Sequence, residues 1–126
     1  MKILDANMIL RYIIDDNHEM ADEVQNIIQN YPVLLLPEVI AEVVFVMNSF
    51  YKKQHSEIAE GIFIFMEECD MRTNCGNVLI RGLRFYQETS LDFVDCLLCA
   101  YHTEENYEIC TFDKKLKKLI ARQDEK

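Results

Sequence analysis

The chain has 126 residues, with 22 acidic against 13 basic side chains and a formal charge of −9. That length holds one ordinary domain, and its 50% hydrophobic content supports a core and excludes intrinsic disorder. Three glycines and two prolines exclude collagen-like and low-complexity architectures. A body this acidic does not attract nucleic acid through its overall field, since phosphate binding rests largely on Lys and Arg. Any such role calls for a local basic strip or bound cations. The opening residues do not read as a secretory leader, and the apolar runs fall short of a membrane span. The five cysteines, an odd number, read as reduced thiols. A soluble cytoplasmic protein with no membrane partner is expected.

In chain order, residues 1–4 read as a first strand running into Asp5. Met8, Ile9, Leu10, Ile13 and Ile14 predict a short helix, and 18–31 an amphipathic one, its apolar residues recurring at helical spacing. Residues 33–36, apolar throughout and bracketed by Pro32 and Pro37, predict a strand buried on both faces. Pro37 suits the first position of a helix reaching about residue 51. A helix follows around 58–66, whose Met and Phe residues read as core or homodimer interface. A short strand is expected at 70–73, then helices from Val78 to Tyr86 and over 91–104. Residues 109–112 are β-prone, and lysine-rich 114–122 closes the chain as a helix. This alternation predicts an α/β sandwich around a mainly parallel sheet.

Most acids fall in solvated clusters, but four do not. Glu42 interrupts a long apolar run, and Asp95 lies between Phe93-Val94 and Cys96-Leu97-Leu98. Asp5 and Asp113 end the first and last expected strands. A carboxylate near a core is costly unless it is hydrogen-bonded, protonated or bound to a cation. Taken singly, each reads equally as a cap, an acceptor or an ion-pair partner. Taken together, at the carboxyl edge of an α/β sheet where ligands bind, they read as an acidic pocket for a hard divalent cation, Mg2+ or Mn2+. No His or Cys cluster has zinc spacing. Cys96 and Cys99, within one expected helix, read as core, and His102 as a surface residue. Lys114, Lys115, Lys117, Lys118 and Arg122 form the one dense basic strip. It reads as either a solvated helix face or an RNA-docking edge.

Leu4-Asp5-Ala6-Asn7-Met8-Ile9-Leu10 resembles the opening D-x-N motif of PIN-domain nucleases. The segment Leu91-Asp92-Phe93-Val94-Asp95-Cys96-Leu97-Leu98 is similar to their third acidic segment, and Thr111-Phe112-Asp113 matches the closing T-x-D element. Glu42 stands where the family places a glutamate, at helix entry after the second strand. Order, spacing and length resemble the small VapC-type toxins of toxin–antitoxin pairs. The resemblance implies one PIN-like nuclease domain over 1–126, a three-layer α/β sandwich whose central, mainly parallel sheet has four to five short strands. It implies a metal-dependent endoribonuclease with an RNA substrate and a cognate antitoxin. Asp5, Glu42 and Asp95 would be the principal ligands of one or two Mg2+ or Mn2+ ions, with Asp113 completing the site. Asn7 and Thr111 would orient carboxylates or touch the substrate phosphate. Asp92 is either a further ligand or the helix cap, and the cap or an outer role is the favoured reading. The alternative is a catalytically inactive PIN-like module that binds RNA or protein. An aspartyl phosphotransferase of the haloacid-dehalogenase type would need a second Asp where Asn7 stands.

Overall fold

Helices occupy most of the chain in the computed structural model, which describes residues 1–70 and 72–126. They are α1 (Ala6–Ile14), α2 (His18–Asn30), α3 (Pro37–Ser49), α4 (His55–Glu68), α5 (Gly76–Glu88), α6 (Phe93–Glu105) and α7 (Lys114–Asp124). Capping chemistry sets several of the boundaries. Asp5, Asn17 and Asp113 sit in extended backbone, and their side chains accept from the N–H of Met8, Met20 and Leu116. Each bond satisfies one of the donors that a helix start leaves unpaired. Pro37 opens α3, where its missing N–H costs nothing. Asp15 and Asn106 close α1 and α6 in the left-handed region, at φ 54° and 60°.

The expected sheet is not formed. Among the described residues there is no strand, only two isolated parallel bridges, Lys2 with Val33 and Leu34 with Asn74. Two bonds carry each: Lys2 N–H to Pro32 O and Leu34 N–H to Lys2 O, both at 2.9 Å, then Leu35 N–H to Asn74 O at 2.9 Å and Asn74 N–H to Val33 O at 3.0 Å. Residues 109–112 make no bridge. The strand expected at 70–73 includes Met71, outside the described residues, and the bridge falls at Asn74 instead. The reason is crowding by helix signals. Asp5 starts α1 directly after the first four residues, while Pro32 and Pro37 leave the second apolar run no room to extend.

Two compact units divide the chain, Met1–Cys75 and Gly76–Lys126. In the first, α1 packs against α2, α3 and α4. Ile9, Ile28, Val33, Ile40, Val43, Ile58 and Ile62 are fully buried, each worth ~1.5–3 kcal/mol of transfer. The ring of Tyr12 meets Phe65 edge-on at 5.7 Å. In the second unit α6 packs against both α5 and α7. Gly82 allows the close approach of α5 and α6: a Cβ there would stand 2.8 Å from Leu97 Cδ2. Tyr86 meets Phe93 edge-on at 5.7 Å, and Leu116 and Leu119 bury the inner face of α7.

Candidate active site

In the first unit, Asp5 is exposed and its Oδ1 accepts the Met8 N–H at 2.9 Å, so this carboxyl serves as a cap. Asn7, one turn before Arg11, accepts from the Arg11 Nε–H at 3.2 Å. The Arg11 guanidinium also donates to Asp16 at 2.5 Å and to the Tyr51 hydroxyl at 3.5 Å. Arg11 thus holds the Asn7 side chain and lines a groove with Asn7, Asp16, Asn17 and Met20. The sequence reading missed Arg11. Its signal was the four-residue spacing from Asn7, which stacks the two on one helix face.

Glu42 corrects the sequence reading in two ways. It lies in the second turn of α3, and the acid at the helix entry is Glu38. It is also exposed, although Ile40, Val43 and Val44 around it are buried. Helical periodicity places it with Glu38 and the exposed Phe45, so an acid within an apolar run is not an acid within the core.

In the second unit, Asp95 occupies the first turn of α6 and is half-buried. Burial raises its pKa above the usual aspartate value, and the charges of Asp113 and then Asp92 raise it further. These three carboxylates therefore share one electrostatic neighbourhood. Asp92 occupies the N-cap position of α6, although its side chain makes no capping bond there. Asp113 is exposed, and its Oδ1 accepts the Leu116 N–H at 2.9 Å. Its own N–H donates to Thr111 Oγ1 at 3.0 Å, so half-buried Thr111 fixes the backbone that carries it.

This donor set is made of carboxylate oxygens, the chemistry that suits Mg2+ or Mn2+. Mutual repulsion around Asp95 is the charge state that a divalent cation relieves. Among the described residues, neither unit holds three or more His, Cys, Asp or Glu side chains already converged on a metal position.

The other candidates resolve differently. Cys96 and Cys99 are buried, and burial pushes the Cys96 thiol up to about 12, far from the thiolate that zinc or redox chemistry needs. His102 is not a free surface residue. Its Nδ1 lies 2.8 Å from the Tyr107 carbonyl and its Nε2 2.8 Å from Asp124 Oδ1, tying α6 to the end of α7. Lys114, Lys115, Lys117 and Lys118 are all exposed. Of these, Lys115 and Lys118 line a groove with Arg122 and the 88–91 segment.

No helix among the described residues is long and apolar enough to cross a membrane. No curated protein and no solved structure matches the chain. A family model described as PIN domain matches residues 2–121, a span containing Asp5, Asn7, Glu42, Asp92, Asp95, Thr111 and Asp113. PIN domains usually bind Mg2+ or Mn2+ in their active sites and act on RNA or DNA. The chain belongs to the PIN-domain family, whose members are typically metal-dependent nucleases.

Proposed function

We propose that the chain is a metal-dependent endoribonuclease, the toxin of a toxin–antitoxin pair, with residues 1–126 acting as one nuclease domain. The observation that carries this reading is the half-buried Asp95, whose pKa is raised by burial and by the neighbouring charges of Asp113 and Asp92. A family of metal-dependent nucleases supplies the chemical context for that cluster. Asp95 and Asp113 of the second unit would hold Mg2+ or Mn2+, one or two ions in all, and Asp5 and Glu42 are the candidate ligands of the first unit. When bound, such a cation lowers the pKa of a water and neutralises charge developing on a phosphodiester.

The chain's own residues have distinct tasks. Asp95 supplies a carboxylate whose ionised form is favoured by a cation and disfavoured without one. Asp92 adds negative charge at the same place. Thr111 fixes the Asp113 backbone, and Arg11 holds Asn7 one turn into α1. The exposed lysines of α7 offer contacts for the substrate's phosphates. An antitoxin would oppose the acids with a basic side chain, Arg above Lys, because its planar fork pairs with carboxylates bidentately.

The test is cleavage of a structured RNA by purified protein with Mg2+ or Mn2+ and with EDTA, beside the Asp95→Asn variant. Cleavage that needs the metal and is lost in Asp95→Asn is the expected result. Cleavage in EDTA, or full activity in the variant, would refute it. Expression without an antitoxin is expected to arrest growth, and co-expression to restore it.

A further inference from the structure

Phe112 is 99% exposed, whereas Phe65, Phe85 and Phe93 are buried. Phe45 and Phe50 are also largely exposed, at 68% and 75%, but Phe112 alone stands wholly in solvent among the described phenylalanines, where its flat face is open to stacking. Its neighbours are ordered: the Asp113 N–H donates to Thr111 Oγ1 at 3.0 Å, and the Asp113 carboxylate caps α7. The ring is therefore presented from a fixed backbone.

Three residues further along the chain begins a groove lined by Glu88, Thr89, Ser90 and Leu91 together with Lys115, Lys118 and Arg122 of α7. Their spacing of three and four residues keeps all three on one face. At ~1.5 Å rise per residue they extend about 10 Å along the helix. Three aligned cations beside one acid, Glu88, make a positive track on a chain of formal charge −9. A stacking ring followed by a positive track is the combination that binds single-stranded nucleic acid without reading its sequence.

We propose that this edge binds single-stranded RNA, one nucleobase stacking on Phe112 while backbone phosphates run along Lys115, Lys118 and Arg122. The identification of the occupant as substrate rests on the endoribonuclease reading, but the binding itself does not need catalysis. A base must be unstacked to lie on the ring, which selects single strands over duplex.

The test is titration of the full chain, in EDTA to stop metal-dependent cleavage, with a short oligoribonucleotide carrying 2-aminopurine. Stacking quenches that base's fluorescence. Phe112→Ala is expected to weaken binding about tenfold and abolish the quench. Phe112→Trp should restore both. The slope of log affinity against log salt should not change in Phe112→Ala, whereas Lys115→Glu with Lys118→Glu should flatten it by about 1. Circular dichroism checks that each variant keeps its helices. Unchanged affinity in Phe112→Ala, failure of Trp to restore it, or no binding by the wild type would overturn the proposal. So would a Phe112→Ala defect confined to a protein partner. Cleavage in Mn2+ is read separately. Wild-type cleavage with unmoved Phe112→Ala affinity overturns the stacking alone, and binding without cleavage overturns the nuclease reading alone.

Discussion

Asp5 and Asp113 each use one carboxyl oxygen to cap a helix, so any catalytic duty falls to a group that also holds the fold together. The two duties separate by substitution. Asparagine caps about as well as aspartate, whereas alanine costs ~1 kcal/mol at such a position. Asp113→Asn is expected to melt like the wild type but lose RNA cleavage, and Asp113→Ala to lose both. Equal activity in Asp113→Asn would leave the residue a cap only. Asp95 differs, because its folded-state pKa is raised rather than lowered. Ionisation therefore costs stability: the folded state is favoured at low pH, and that advantage is lost as pH rises through the raised pKa. In EDTA at pH 7, Asp95→Asn should accordingly have the higher Tm, with the difference vanishing below the aspartate range. A lower Tm across the whole range would show that the carboxylate is structurally required. At this scale the sequence motifs identified which acids to watch but not their surroundings. Glu42 looked interior because hydropathy along the chain ignores which face of a helix a residue occupies.

Among elements, α6 is the central helix of the second unit, tied to α7 by His102 and packed on α5 at Gly82. The two ring nitrogens of His102 face a carbonyl and a carboxylate, so both act as donors only in the imidazolium form. Asp124 first, then the Tyr107 carbonyl, raises the pKa of His102 above its ordinary value. The resulting stability is complete below pH ~6.5 and is lost as pH rises through the raised pKa. Tm is expected to rise as pH falls from 8 to 6, and Asp124→Asn should remove that rise. An unaltered pH dependence would show that the tie contributes nothing. At Gly82, a branched side chain would meet Leu97, and overpacking of this kind typically costs ~1–3 kcal/mol. Gly82→Val should therefore melt several degrees lower. The helices were legible in the sequence because their apolar periodicity and caps agree. The sheet was not: the runs at 1–4 and 33–36 look like strands, yet the described residues form only two isolated bridges, Lys2 with Val33 and Leu34 with Asn74. Capping residues and prolines next to them end any ladder before it begins.

For the whole molecule, the chief tension is a nuclease family on a chain of formal charge −9. Two divalent ions would bring that figure to −5 (−9 + 4), and α7 gathers four of the eight lysines within five residues. PIN domains are α/β in general, whereas here the pairing among the described residues is reduced to two bridges, and the ordered acidic motifs lie within the matched span of residues 2–121. Those motifs were legible because each needs only local spacing. The basic groove was less so, since choosing Lys115, Lys118 and Arg122 over Lys114 and Lys117 depends on which face α7 buries. The central claim is metal-dependent RNA cleavage through Asp95, and one gel tests it most directly. Labelled RNA is incubated with wild-type and Asp95→Asn protein, each in EDTA, Mg2+ and Mn2+. Cleavage only in the wild-type lanes containing metal is expected. Intact RNA in every lane, or equal cleavage by both proteins, would contradict it.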